Sequence, residues 1–216
     1  RDQPVLAADV VRYEGEPVAI VAADNPEALR MAIDAIAVDY EPLDPLVDPD
    51  LAERADPIHP DGNLVRRINL IHGDQDVSGE VQVEGTYEVG MQDQAFLGPE
   101  SGMAVPAEDG GIDLYVATQW LHSDRDQVAD CLGLDPARVR LTLSGVGGAF
   151  GAREDLSLHV HLCMLALHTR RPVKMVYSRE ESFHGHVHRH PARMWFRHHA
   201  DRDGTIVRVE SRLVLD

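Results

Sequence analysis

The sequence predicts an α+β fold in which a small strand–helix–strand unit is followed by a larger unit built on a mixed sheet. Two observations predict it. Short apolar runs alternate with helix-spaced apolar patterns along most of the chain, which indicates strands joined by helices. Near the end, a turn signal at residues 201–204 separates two strand-like segments, which indicates an antiparallel hairpin. At 216 residues, the chain can form one large domain or two small ones.

The first third of the chain predicts the small unit. Residues 17–23 form a continuous apolar run, which fits a strand buried on both faces. Asn25 and Pro26 supply a cap and a proline at the first helical position, so a helix is expected next. Residues 38–42 then predict a strand that a proline closes.

Prolines and acidic residues alternate between residues 43 and 61, a composition that favours a connector on the surface. We therefore expect a first domain over residues 1–62, a connector over residues 63–76 and a second domain over residues 77–216. The chain starts at an arginine and ends within a strand-like segment. We expect it to be a piece of a longer polypeptide.

The second domain begins with strict apolar–polar alternation over residues 81–89, which predicts a strand with one buried face. Residues 112–119 predict a strand that ends in a polar pair, and Ser123 is expected to cap the helix that follows. A further strand is expected up to Leu143, and a helix with apolar spacing from Leu156 to Leu167.

Charge and cysteine usage limit the possible partners. The net charge of −17 argues against a nucleic-acid or anionic-membrane surface, and no apolar run approaches the roughly 20 residues of a membrane span. Cys131 and Cys163 both lie on apolar helical faces, so we expect two buried free thiols. A reducing, cytoplasmic location is the resulting expectation.

A glycine-rich stretch from Ser144 to Glu154 lies between a predicted strand and a predicted helix. Glycines at four positions remove β-carbons, so that the backbone could approach a bulky ligand, and a helix start would offer free N–H groups to anionic oxygens. The spacing matches neither the dinucleotide nor the phosphate-loop motif. A tight turn with close helix–strand packing is the alternative. The glycines are Gly145, Gly147, Gly148 and Gly151.

Alternating histidines form a second candidate site. On a strand, the histidines at 184, 186, 188 and 190 would share one face and could hold zinc. No cysteine or carboxylate at ligand spacing completes the set, so a histidine-strand metal-binding protein is only a third hypothesis.

Four spaced motifs, in collinear order, give the sequence a resemblance to a known family. The motifs are Gln92–Glu100, Thr118–Trp120, Gly147–Glu154 and Arg189–Pro191. With them, the chain resembles the molybdopterin-binding large subunit of the xanthine dehydrogenase/aldehyde oxidase family. Its first part, through residues 11–19 and 38–43, is similar to the α/β hammerhead domain of that family, and the rest to the first part of the molybdenum-binding domain.

The resemblance implies roles for individual residues. Gln119 matches the glutamine whose amide hydrogen-bonds the apical oxo ligand of molybdenum. Phe150 and Gly151 match the pair beside the metal, whereas Gly147, Gly148 and Ala149 match the loop along the pterin. Glu154, the one catalytic candidate, matches a glutamate lining the substrate pocket, and a salt bridge or helix-start charge is its alternative role. No residue is expected to ligate the metal directly.

The resemblance also implies an activity. Members hydroxylate an N-heterocycle or an aldehyde with oxygen derived from water, and they pass the electrons through iron–sulfur clusters to FAD on partner domains or subunits. The partners expected are a small-molecule substrate and those iron–sulfur and flavin modules, and homo-oligomerisation remains open. A catalytically silent paralogue or an assembly-type binding module of the same fold is the alternative.

The sequence departs from the family pattern in the glycine stretch. Ala149, Ala152 and Arg153 replace a glycine, a glycine and a lysine, and two added methyl groups are expected to narrow the room for the pterin. Gly98 stands where many members carry a glutamate. The family's catalytic base, a glutamate far towards the C-terminus, has no counterpart here. We therefore expect the isolated chain to bind no molybdenum cofactor and to do no chemistry.

Overall fold

The computed structural model describes residues 3–216 and confirms the α+β class. The chain forms two compact units, each discontinuous in sequence. The first contains the residues up to Asp39 together with Asp93–His188, and the second contains Tyr40–Gln92 together with Arg189–Asp216. Among the described residues, no helix combines the length and the apolar character needed to cross a membrane.

Within the described residues, the first unit contains a mixed four-stranded sheet and four α-helices. The strands are β2 (Ser101–Pro106), β3 (Ile112–Val116), β4 (Val139–Leu143) and β5 (Val173–Val176), and the helices are α1 (Pro26–Asp34), α3 (Leu121–Leu132), α4 (His159–Thr169) and α5 (Arg179–His184). The strand order in the sheet is β4-β3-β2-β5. Strand β3 runs parallel to β4, and β2 runs antiparallel to both β3 and β5. Helices α3 and α4 pack against this sheet and enclose the apolar core of the unit.

Helix α4 lies against β2 so closely that a side chain would not fit at Gly102. A β-carbon there would lie 2.9 Å from Leu162 Cδ1 and 3.1 Å from Leu158 Cδ1. Both leucines are fully buried, as is Cys163 on the same helix. The predicted burial of Cys163 is therefore confirmed, and the absence of a side chain at Gly102 allows the helix to approach the sheet.

The predicted burial of Cys131 is wrong, because this residue is exposed. The buried stripe of α3 runs through Asp124, Val128 and Ala129, and Leu132 packs beside the core. Cys131 falls at the margin of that stripe. An aspartate inside the stripe is the feature that the apolar pattern did not predict.

Helix α1 is confirmed, with Asn25 Oδ1 accepting from the N–H of Ala28 at 2.9 Å. The strands predicted on either side of it, over residues 17–23 and 38–42, do not form. An extended segment becomes a strand only when a neighbour pairs with its backbone groups. Here Pro17 accepts one bond from Ala7, at 2.8 Å, and no described strand lies alongside either segment.

The second unit contains an antiparallel three-stranded sheet in the order β1-β6-β7 and the short helix α2 (Pro49–Ala52). Its strands are β1 (Val81–Val89), β6 (Ala192–Ala200) and β7 (Ile206–Leu215). The predicted hairpin is confirmed, since the N–H of Asp201 donates to Thr205 O at 2.9 Å. Gly204, at φ +91°, supplies the left-handed position in that turn.

Two helices begin elsewhere than predicted. Helix α3 begins at Leu121 rather than after Ser123, and its cap residue Trp120 makes no side-chain capping bond. Helix α4 begins at His159, beyond the predicted Leu156. The glycine stretch is therefore part of a long loop between β4 and α4, and it does not run directly into a helix.

The alternating histidines do not lie on a strand. His184 ends α5, and the three that follow lie in irregular structure. Within residues 3–216, no group of three or more histidine, cysteine, aspartate or glutamate side chains is placed to hold a metal ion. The shared face on which the zinc hypothesis depended is absent from the described chain.

Candidate functional site

The glycine loop leaves the sheet at the end of β4. The N–H of Ser144 donates to Val116 O of β3 at 2.9 Å, which holds the start of the loop on the parallel strand pair. Residues 144–147 are exposed, and burial returns only at Ala152. The loop therefore has an outer part in solvent and an inner part packed on the protein.

Two of the glycines serve close packing. A β-carbon on Gly147 would lie 2.6 Å from the Cα of Gly98, and one on Gly148 would lie 3.0 Å from the β-carbon of Phe96. Gly98 also donates its N–H to Gly147 O at 3.2 Å. The alternative of a tight packing turn thus describes these two positions.

The other two glycines face open space. No described atom lies within 4 Å of a β-carbon built on Gly145 or on Gly151. Gly151, at φ +87°, follows Phe150, at φ +50°, in a turn closed by the bond from Ala152 N–H to Ala149 O at 2.9 Å. A phenylalanine rarely adopts a left-handed backbone conformation, so this turn holds Phe150 in a strained conformation. The Phe150 side chain is 78% exposed.

The outer part of the loop carries unused hydrogen-bond donors. From residue 145 to residue 151, no backbone N–H donates to an acceptor within the described part of the chain. Successive free N–H groups on an exposed loop suit oxygen-rich or anionic ligands. This is the property expected of a ligand cradle, here supplied by the loop itself and not by a helix start.

Arg153 anchors the inner part of the loop. Its guanidinium is buried, donates to Gly98 O at 2.5 Å and lies 4.0 Å from the centroid of the Phe96 ring. The Glu100 carboxylate lies 3.7 Å away. Burial lowers the pKa of the Arg153 guanidinium, and the Glu100 charge offsets only part of this. A buried cation is tolerated here because an anion, a carbonyl and an aromatic face surround it.

A histidine completes this buried cluster. His186 Nε2 lies 3.2 Å from Ala152 O, which assigns the ring proton to that nitrogen, and 3.7 Å from Glu100 Oε1. Its ring meets Phe96 edge-on, with the centroids 5.2 Å apart. Burial lowers the pKa of His186, which favours the neutral imidazole. His186 is thus a buried structural contact of the loop, not the zinc ligand that the alternation suggested.

Gln119 and Glu154 come together at the foot of the loop. The N–H of Gln119 donates to Arg153 O at 2.9 Å, so the backbone that carries Gln119 is bound to the peptide group that precedes Glu154. Gln119 is exposed and Glu154 is half-buried. These two residues, separated by a strand and a helix in sequence, therefore adjoin the same loop.

A second buried polar cluster lies beside Gln119. The Thr118 hydroxyl donates to the fully buried Asp124 carboxylate, and the N–H of Trp120 donates to that hydroxyl at 3.0 Å. His159 Nε2 lies 3.9 Å from Asp124 Oδ2. Burial raises the pKa of Asp124 and lowers that of His159 to about 4.

Sequence reasoning missed both buried clusters. It treated Arg153 as a departure from a family pattern, considered His186 only as a zinc ligand, and assigned no individual role to Glu100 or Asp124. The signal that could have found them is a charged residue inside an otherwise apolar or glycine-rich segment. Sequence spacing could not pair them, because 53 positions separate Glu100 from Arg153.

Comparison with known proteins identifies the family. The family model described as "Molybdopterin cofactor-binding domain" matches residues 59–216, and the model of the "Aldehyde oxidase and xanthine dehydrogenase, a/b hammerhead domain" matches residues 1–44. This chain belongs to the molybdopterin cofactor-binding domain family. The predicted resemblance to the large subunit of xanthine dehydrogenase and aldehyde oxidase is confirmed.

Relatives of this chain are considerably longer. It is 34% identical over 220 residues to a probable xanthine dehydrogenase subunit of Bacillus subtilis, covering all of this chain and 30% of that protein. It is 36% identical over 221 residues to the nicotinate dehydrogenase large molybdopterin subunit of Eubacterium barkeri, covering all of this chain and 52% of the relative. The chain thus spans about a third to a half of these relatives.

A solved structure supports the fold. The chain superposes on the aldehyde oxidoreductase from Desulfovibrio gigas with a TM-score of 0.94 and 27% sequence identity, covering all of this chain and 24% of that one. Both units of this chain therefore have counterparts in that solved structure.

The exposed side of the glycine loop suits such a cofactor. Molybdopterin is rich in ring nitrogens and oxygens and carries a phosphate, and the unused N–H groups at residues 145–151 are complementary donors. Ala152 is only 2% exposed, whereas Ala149 is half-buried. The narrowing expected from the two alanines depends on where the pterin lies and stays a prediction.

Gly147→Ala should destabilise the fold by about 1–3 kcal/mol, because the new methyl group collides with the Gly98 backbone. Gly145→Ala is the matched control, since its methyl group enters open space, and it should change the free energy of unfolding by less than about 0.5 kcal/mol. Urea unfolding of the wild-type protein and the two variants measures both effects. Equal effects of the two substitutions would contradict the assigned packing.

Arg153→Met should destabilise the protein by about 3–5 kcal/mol, because it leaves the Glu100 carboxylate buried without its cation. Adding Glu100→Gln should recover part of that loss by removing the unpaired charge. Unfolding free energies from a double-mutant cycle give the coupling. Additive losses would show that the two side chains do not interact.

Acidification should destabilise the protein through His159. Its pKa is 6.5 in the unfolded reference and about 4 in the fold, so between these values the unfolded chain binds a proton that the folded chain does not. The free energy of unfolding should therefore fall as pH falls through this window, by up to about 3 kcal/mol for this group. His159→Gln should reduce that slope, and His122→Gln, at an exposed position, is the control. An unchanged slope in His159→Gln would refute the assignment.

Proposed function

We propose that this chain is part of the large subunit of a molybdenum hydroxylase, which oxidises an N-heterocycle or an aldehyde by hydroxylation with oxygen from water. The observation that carries the proposal is the exposed glycine loop, whose N–H groups at residues 145–151 are unused and which adjoins the exposed Gln119. Membership of the molybdopterin-binding family gives these donors a matching ligand.

In this proposal the loop and Gln119 hold the cofactor. Gly147, Gly148 and Ala149 lie along the pterin, and the amide of Gln119 donates a hydrogen bond at the metal end. Phe150 and Gly151 stand beside the metal, where the open left-handed turn leaves the backbone N–H groups accessible. When bound, the molybdopterin centre supplies the two-electron oxidation and activates the oxygen that enters the product.

Glu154 and Phe150 are proposed to contact the substrate. A carboxylate accepts hydrogen bonds from ring N–H groups, so Glu154 suits a polar heterocycle. The exposed Phe150 ring offers an apolar face on which a flat substrate can stack, displacing the water that contacts the ring. Both are held by the turn between Ala149 and Ala152 and by the buried Arg153.

The relatives' names support the substrate class that we propose. A probable xanthine dehydrogenase subunit and a nicotinate dehydrogenase subunit, each more than 30% identical to this chain, are named for N-heterocyclic substrates, and the superposed oxidoreductase is named for aldehydes. An electron-poor carbon beside nitrogen or oxygen is common to these substrates. We propose a planar heterocycle first and an aldehyde second.

The proposal includes partner modules and a division of the chain. Iron–sulfur clusters and FAD, on other domains or subunits, are proposed to carry the electrons away, and the relative from Eubacterium barkeri is itself named as one large subunit. We propose residues 1–62 as the hammerhead domain, residues 63–76 as the connector and residues 77–216 as the N-terminal part of the cofactor domain.

The full-length protein tests the proposal. It should contain about one molybdenum per chain and oxidise nicotinate, xanthine or a simple aldehyde with a dye as electron acceptor. Gln119→Ala should lower kcat at least about tenfold, because a preorganised donor is lost. Gln127→Ala, at an exposed position on α3, is the matched control.

The outcomes separate the proposed enzyme from its alternative. Molybdenum content with turnover that Gln119→Ala lowers supports the hydroxylase. A folded full-length protein that lacks molybdenum and oxidises none of the three substrate types contradicts it and favours a silent paralogue or an assembly module.

A further inference from the structure

We propose that Asp124 is a positioning residue of this site: through Thr118, it holds the backbone of Gln119 against the peptide group that precedes Glu154. The inference rests on the proposed function for its catalytic consequence. Its structural part concerns contacts among residues 118–124, 153, 157 and 159, all of which lie in the first compact unit.

The first step is the direction of the Thr118 hydrogen bonds. A hydroxyl has one proton to donate, and that proton goes to Oδ2 of Asp124 because a carboxylate only accepts. A lone pair of the same hydroxyl is then free to accept from the N–H of Trp120 at 3.0 Å. Asp124 thereby orients a hydroxyl that fixes the residue immediately after Gln119.

The second step concerns the acceptor that Gln119 uses. Arg153 O accepts from the N–H of Gln119 at 2.9 Å, and it also lies 3.3 Å from the Thr118 hydroxyl oxygen. While the hydroxyl proton is held by Asp124, the Gln119 N–H has the shorter and better bond to this carbonyl. Without Asp124, the hydroxyl is free to rotate towards Arg153 O, and the lone pair that accepts from the N–H of Trp120 turns away with it.

The third step is the second contact of the carboxylate. The N–H of Ser157 donates to His159 Nδ1 at 3.2 Å, which leaves the imidazole proton on Nε2. That proton faces Asp124 Oδ2 across 3.9 Å. The carboxylate thus accepts a hydrogen bond from Thr118, and His159 at the start of α4 approaches it on the other side without forming a hydrogen bond.

Stability alone does not account for an acid at this position. The Asp124 side chain is 0% exposed and so bears the full cost of desolvation, and its Oδ1 has no hydrogen-bond partner in the described structure. Burial raises the pKa of this carboxyl, and the nearby Asp155 charge raises it further. An acceptor that orients Thr118 is the role that fits these contacts.

Hydrogen exchange on the 216-residue chain tests the structural part. Asp124→Ala and, independently, Thr118→Val should speed exchange of the Gln119 amide about tenfold or more relative to the amides of β3, because one hydrogen bond of ordinary strength is lost. Asp124→Asn keeps an acceptor oxygen and should restore protection. Asp126→Ala removes an exposed carboxylate from the same helix and is the matched control.

Kinetics of the full-length holoenzyme test the catalytic part. Asp124→Ala should lower kcat about tenfold with KM changed less than about threefold and with molybdenum content retained, and Asp124→Asn should recover most of kcat. If Asp124→Ala does not fold, Thr118→Val makes the same test without touching the carboxylate.

The two proposals fail differently. Unchanged exchange of the Gln119 amide in both variants would overturn the positioning role, whatever the enzyme does. A kcat that Asp124→Asn leaves as low as Asp124→Ala would overturn it as well. A wild-type protein that oxidises no substrate would overturn the proposed function alone, because the exchange measurement still decides the role of Asp124.

Discussion

The buried guanidinium of Arg153 joins the three segments that form the site. The guanidinium donates to the backbone carbonyl of Gly98, lies over the Phe96 ring and pairs with the Glu100 carboxylate. The backbone carbonyl of Arg153 accepts from the N–H of Gln119. A cation held away from water must keep all of these partners, so the segments cannot separate without exposing or unpairing a charge. The geometry of the loop therefore depends on this buried ion pair as well as on the close packing of Gly147 and Gly148.

The glycine loop therefore has one side packed against the protein and one side with free hydrogen-bond donors. Its inner side is satisfied by Gly98, Phe96 and His186, and its outer side, from residue 145 to residue 151, presents backbone donors that no described residue uses. Rigid support behind an unsatisfied surface reduces the cost of ordering the loop when a ligand binds. The strained backbone of Phe150 fits this arrangement, because surrounding contacts can hold a residue in a conformation that it would not adopt alone.

Local patterns predicted several elements correctly. The strand over residues 81–89, the hairpin at residues 201–204 and the buried thiol of Cys163 were confirmed. The buried face expected of that strand was wrong, because Val83 and Tyr87 are exposed. Strands over residues 17–23 and 38–42 failed because an apolar run does not supply a pairing partner. The histidine alternation failed for a related reason, since a period of two has meaning only on a strand and His186 lies in irregular structure.

By itself, the sequence determined the α+β class, the family and the motif positions of Gln119, Phe150 and Glu154, because these depend on local periodicity and on collinear motifs. Only the tertiary structure decided which glycines pack and which face open space, and it alone paired Arg153 with Glu100 and Asp124 with Thr118. These are contacts between segments distant in sequence or between a strand end and a helix. Their existence depends on burial, and burial is a property of the whole fold.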